Sequence, residues 1–177
     1  MSTVKWKLDQ AHSEISFKVK HLMITTVTGR FNKFNVELET ENDDFLAASK
    51  IVFTADVNSI DTNNEARDKH LKSEDFFYGV KHGEISFYAD EYFTVGTEAT
   101  LSGLLTIRGI QRPVLVEVEF GGIVKDTHGQ TKVGFSVSGK ISRKEFGLIM
   151  SMVTEAGSVV VGDEVKFQGE IQLIKQS

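Results

Sequence analysis

Residues 12–21, HSEISFKVKH, alternate almost without a break. Ile15, Phe17 and Val19 fall on one side, and His12, Glu14, Ser16, Lys18 and Lys20 on the other. A period of two is that of a β-strand with one dry face. Parity also puts His21 on the dry side, so an apolar stripe ends in an imidazole. Either that imidazole caps the core through an internal hydrogen bond, or it sits where something other than core packs.

The same pattern recurs along the chain. GRFNKFNVELE carries Phe34, Val36 and Leu38 on one side, with a change of parity expected near the turn at Gly29. AASKIVFTADV, EISFYAD, ATLSGLLTIRG, PVLVEVEF, TKVGFSVSGKIS and EVKFQGEIQLI each give another one-sided run. About eight strands are expected, with a short ninth at VKWKL. Alternation of this kind implies antiparallel pairing with one face buried and one wet. A two-sheet sandwich and a closed barrel both satisfy it. Two features favour the barrel. The strands run to about ten residues, beyond the usual five or six. Gly103, Gly139 and Gly169 also lie on inward parity, where a coiling sheet needs bends or space. Those glycines are expected to leave open volume inside.

One stretch, SIDTNNEARDKHLKSEDFFYG, does not alternate. Thr62 and Glu65 have the spacing of a capping box, so a single short helix is expected to start there, with Gly79 as its stop. Lying between two strands, it is long enough to cross a barrel mouth. Arg67 and Asp68 are expected in intrahelical pairs with Glu74 and Lys72, or as anchors to the barrel. A second irregular stretch, GLIMSMVTEAGSVVVGD, is apolar and carries Met150 and Met152, flexible side chains suited to uneven surfaces. The whole chain, 1–177, reads as one domain.

Composition removes several function classes. The chain has 177 residues, 40% of them hydrophobic, no cysteine and a formal charge of -5. Without cysteine there is no disulfide framework and no thiolate site. An acidic chain is a poor match for nucleic acid, whose phosphates demand a concentrated cationic surface. No apolar run approaches a transmembrane span. The N-terminus lacks the apolar core of a signal peptide, so a cytoplasmic location is expected as written, and a periplasmic one if a leader has been removed. No metal is expected: His12 and His21 lie on opposite faces, and no H-E-x-x-H or clustered carboxylate–histidine motif occurs. Nor is there a nucleophile elbow or a phosphate-binding glycine loop. The thirteen phenylalanines, many on inward parity, supply either a filled core or the walls of a lined cavity.

Four motifs in order complete the reading: WKLDQAHSEISFKVKHLMITTVTGRFNKF, DTNNEARDKHLKSEDFF, GLLTIRGIQRPV, and ISRKEFGL with VGDEVKFQGEIQL. Together they resemble the YceI-like, polyisoprenoid-binding family from about Trp6 to the end. Lys81, His82 and Gly83 stand where that family tends to have a Tyr-Pro step. The resemblance implies an all-β, extended eight-stranded antiparallel lipocalin-like β-barrel with one short helix between strands. It further implies a long isoprenoid, isoprenoid quinone or similar fatty lipid as ligand and a homodimer as assembly, with no other cofactor.

On that basis the lining is expected to include Phe17, Val19 and His21 of the opening stretch, with Phe34 and Phe53 of the next two strands. Phe76 and Phe77 would cover a mouth. Phe87, Leu105, Phe135 and Gly139 would continue the wall, and Phe146 and Met150 would complete it. Two other classes stay open: an enzyme acting on a held lipid with His21 or Asp68 as acid–base, and a filled-core structural or partner-binding barrel.

Overall fold

Among the described residues the alternating runs become eleven strands joined in one antiparallel sheet. The computed structural model describes residues 2–149 and 161–176, with backbone alone at 46, 47, 49 and 90–95. The strands are β1 (Thr3–Leu8), β2 (Glu14–His21), β3 (Thr25–Phe31), β4 (Phe34–Glu41), β5 (Asp44–Asp56) and β6 (Ile60–Asp61). After helix α1 (Glu65–Leu71) come β7 (Glu84–Val95), β8 (Glu98–Ile107), β9 (Ile110–Lys125), β10 (Thr131–Ser142) and β11 (Val161–Lys175). Among the described residues no helix is long and apolar enough to cross a membrane.

The sheet closes on itself. Its order runs β1-β4-β5-β7-β8-β9-β10-β11, and β11 pairs back onto β1 through Trp6 opposite Lys175 and Leu8 opposite Leu173. That circuit is an eight-stranded antiparallel barrel, and closure removes the exposed strand edges an open sheet would carry. VKWKL is therefore no ninth strand; it is the first half of the first one. Past a 3₁₀ turn at Gln10–His12 the same strand resumes as β2, whose partner is the other half of β11. β3 and β4 are likewise two halves of one long strand, and β6 is the short continuation of β5 beyond a 3₁₀ turn at Val57–Ser59.

These interruptions change the parity. In β1 the inward positions are even, Trp6 among them, whereas in β2 they are odd. In β3 Val27, Gly29 and Phe31 still point inward on odd numbers, and Phe34 and Leu38 follow on even ones. The flip thus lies at Asn32–Lys33 rather than near Gly29, which sits inside a strand. The kinks fall side by side in paired strands, so the wall bends without losing its ladder.

At one end of the barrel are the β4–β5 and β7–β8 turns. At the other are α1, the 3₁₀ turn Arg143–Phe146 and the two-residue β8–β9 turn. In that last turn Arg108 and Gly109 both have positive φ, 52° and 73°, which matches the twist of a tight hairpin. Arg108 Nη1 then donates to the carbonyl oxygens of Phe76 (3.1 Å) and Gly147 (3.3 Å), clasping both covering segments to the hairpin tip.

Helix α1 differs from expectation at its start. Its N-cap is Asn64, whose side chain accepts from the Arg67 N–H; Thr62 is not a cap. Thr62 is buried, 3% exposed, and Arg67 and Asp68 grip it. Arg67 Nε and Nη2 donate to its hydroxyl and carbonyl oxygens, and Asp68 accepts from its N–H and hydroxyl. Both residues serve as anchors. The helix ends at Leu71, well before Gly79.

Candidate functional site

The barrel is not filled. A cavity of about 590 Å³ runs between its ends, with a wall made almost wholly of apolar side chains. Its polar residues are Ser16 in β2, Asp43, Asp44, Thr97 and Glu98 around the turns at one end, and Arg143 at the other. Volume on this scale with a dry lining is the ordinary geometry of a small-molecule site. Without polar partners water has little hold there.

Eight of the residues named from sequence line it: Phe17 and Val19 from β2, Phe53 from β5, Phe87 and Leu105 from β7 and β8, Phe135 from β10, and Phe76 and Phe77 beyond α1. Phe77 meets Phe31 edge-on at 6.2 Å, and Phe31 leans on Phe17 at 5.6 Å. An aromatic wall thus joins the covering segment to the sheet.

Four others stand outside the lining. Phe34 packs against Phe53 at 6.1 Å and is itself buried in the core. Phe146 is 1% exposed, enclosed beneath its 3₁₀ turn. His21 ends β2 half-buried; its backbone oxygen accepts from the Ile24 N–H and the Thr25 hydroxyl, and its ring bonds no described residue. Gly139 lies under a ring. Met150 falls outside the described residues.

The inward glycines correct a stronger expectation. They do not open volume, because neighbouring side chains and backbone carbonyls already occupy it. A Cβ at Gly139 would meet the Phe167 ring, with Cε1 at 2.9 Å, and the Leu115 carbonyl oxygen at 3.0 Å. One at Gly103 would meet the Phe87 ring at 2.7 Å, and one at Gly169 the Ile15 Cδ1 at 2.9 Å. The side chains involved, Phe167, Phe87 and Ile15, themselves line the cavity.

Sequence reasoning missed Arg143. It is 3% exposed, and its guanidinium donates to three backbone carbonyls: Nε to Gly162 at 2.8 Å, Nη1 to Leu148 at 2.5 Å and Nη2 to Val161 at 3.0 Å. Burial pushes its pKa below the usual value, and the Asp163 carboxylate opposes that shift. A charged residue just past a strand reads as a solvated turn; only ISRKEFGL as a motif pointed to it. Phe45 and Phe120, which pack 5.7 Å apart in the lining, also went unsingled.

The two residues considered as acid–base groups, His21 and Asp68, both lie outside the lining. Among the described residues no three histidine or carboxylate side chains gather as a metal site. His12 instead pairs with Asp9 at 2.9 Å.

Comparison with known proteins agrees with this architecture. Residues 6–173 match the YceI-like domain. A UPF0312 protein of Staphylococcus epidermidis is 39% identical over 169 residues, covering 95% of this chain and 96% of its own. The Campylobacter jejuni YceI protein superposes with a TM-score of 0.76 at 30% identity, over 96% of this chain and 97% of its own. BcnA of Burkholderia cenocepacia gives 0.80 at 21% identity, over 93% and 98%. A polyisoprenoid binding domain from Saccharophagus degradans gives 0.71 at 13%, over 97% and 98%. The last two show likeness of fold alone.

Proposed function

The chain belongs to the YceI-like domain family, and on that footing we propose that it binds a long apolar lipid, an isoprenoid chain, inside its barrel. The observation that carries this reading is the end-to-end apolar lining of the cavity. The described polyisoprenoid binding of the Saccharophagus domain supports it by analogy of fold. Phe17, Val19, Phe53, Phe87, Leu105 and Phe135 are the wall contacts we assign, with Phe76 and Phe77 across one end.

The driving force is desolvation. At about 0.8 kcal/mol per buried methylene, each isoprene unit contributes roughly 3–4 kcal/mol gross. A cavity on this scale has room for several units of such a chain. Ordering costs then leave a useful affinity. The role is carriage or storage rather than conversion, and the lipid is retained for its shape and apolarity.

Solvent extraction and native mass spectrometry of freshly purified protein test this reading. Co-purifying lipid, or uptake of added geranylgeraniol at a single saturable site, is expected. Protein that is repeatedly empty and takes up no prenol would overturn it in favour of a structural barrel.

A further inference from the structure

Four residues stand abreast on the inner wall. Gly139 of β10 is paired with Phe167 of β11, Phe167 with Phe17 of β2, and Phe17 with Gly29 of β3. Side chains on a strand ordinarily stand away from the sheet. These two rings do not. Phe167 lies across Gly139, and Phe17 lies across Gly29, with Cε1 and Cε2 at 2.8 and 2.9 Å from where a Cβ would be. The two neighbouring phenylalanines therefore fold away from each other, each onto the glycine at its outer side. On β7 and β8 the Phe87 ring lies over Gly103 diagonally, since Phe87 is paired with Leu105 and Gly103 with Ala89.

We propose that these glycines hold the Phe17 and Phe167 rings flat against the wall and so set the bore of the cavity, admitting a methyl-branched chain where a narrower bore would admit only a straight one. This rests on the lipid-binding reading above and names the residues that select within it. The physical basis is steric. Carbon atoms pack at about 3.5–4.0 Å, so a methyl group at Gly29 excludes the ring from its present place. Displaced from Gly29, the ring takes the ordinary posture of a strand side chain, away from the sheet and into the lumen. An isoprenoid carries a methyl branch on every unit and is wider than a linear alkyl chain. It is the first ligand to be lost when the bore narrows.

Gly29 is the cleaner of the two positions to test. Its backbone is ordinary strand, without positive φ, so alanine adds no backbone strain there. The three atoms nearest its would-be Cβ all belong to the Phe17 ring, whereas at Gly139 the rigid Leu115 carbonyl also intervenes.

The experiment compares binding of geranylgeraniol and n-hexadecanol by wild type, Gly29→Ala, and Gly29→Ala combined with Phe17→Leu. In Gly29→Ala, affinity for the prenol should fall at least about tenfold while the linear alcohol changes by less than about threefold. The double variant, with the ring removed, should recover the prenol. Phe17→Trp, which keeps the glycine but adds bulk, should shift the ratio the same way and carries the test if Gly29→Ala does not fold. An unchanged ratio in the single variants, or no recovery in the double, overturns the bore assignment while the lipid-binding reading stands. A wild type that binds neither probe overturns both.

Discussion

Arg143 and Gly162 are joined by a hydrogen bond of 2.8 Å from Nε to the backbone oxygen. The same guanidinium reaches Leu148 and Val161, so one buried cation holds the chain leaving the 3₁₀ turn against the start of β11. Arginine suits the place because its fork presents several donors in a fixed plane.

Arg143→Met should therefore be strongly destabilising. It retains apolar bulk but strips donors from buried carbonyls, each worth about 1–3 kcal/mol when left unsatisfied. A loss of about 3 kcal/mol in urea unfolding is expected, with Arg143→Lys intermediate because a single ammonium cannot span three acceptors. A loss below about 1 kcal/mol would show that water or neighbouring donors replace the guanidinium.

At the opposite end, the Trp6 indole N–H donates to the Thr40 hydroxyl at 3.1 Å, and that hydroxyl donates to the Asn42 carbonyl oxygen at 2.7 Å. Trp6 is 2% exposed and Thr40 fully buried. Thr40→Val keeps the shape and removes the acceptor. It should cost about 1–3 kcal/mol, read from thermal or urea unfolding. Trp6 fluorescence should report the altered environment in the folded state. A neutral substitution would mean the pair contributes packing alone.

What the sequence made legible follows from what period two can record. HSEISFKVKH and the runs of β8 to β11 each contrast one dry face with one wet face, so their strands and inward residues were readable. The parity flips at Gln10–His12 and Asn32–Lys33 were not: a broken alternation shows that something intervenes, but not on which side the next residue falls. Gly139 and Gly169 were misread for another reason. Their would-be space belongs to Phe167 and Ile15, which only strand register brings alongside. Arg143 was hidden because its acceptors include Val161 and Gly162, far along the chain. Thr62 looked like a cap because its burial depends on how Arg67 and Asp68 fold back upon it.

Phe77 offers a test of the covering segment. It lines the cavity and meets Phe31 edge-on, yet it is only half-buried. A fully buried Phe→Ala costs about 3–5 kcal/mol. Because Phe77 is only half-buried and has fewer protein contacts to lose, Phe77→Ala should cost less, about 2 kcal/mol. Prenol dissociation should quicken more than its association slows, since a lost contact shows mainly in the off-rate. Stopped-flow displacement against a non-binding competitor would measure both rates. Unchanged release would remove Phe77 from the ligand path.

Asp163 sets a pH dependence of known sign. Burial alone raises its carboxyl pKa, but the Ser142 hydroxyl, the Lys144 N–H and the charges of Lys144 and Arg143 outweigh it, holding the group below the usual 3.8. The two hydrogen bonds are 2.5 and 3.0 Å long. Because the folded pKa is depressed, the stabilisation is present in full above the unfolded value and is lost as pH falls through the folded one. Asp9 behaves alike: burial raises it, and the bonds from His12 and Gln172 with the charges of His12 and Lys132 bring it down. Melting temperature should thus hold from neutral pH to about 4 and fall below it. Asp163→Asn should melt lower than wild type at neutral pH, and the gap should close as pH falls below the usual carboxylate range, where the native carboxylate takes up its proton. A gap that stays constant over that fall would mean that Asp163 stabilises the fold by shape and neutral hydrogen bonding, with no contribution from its charge.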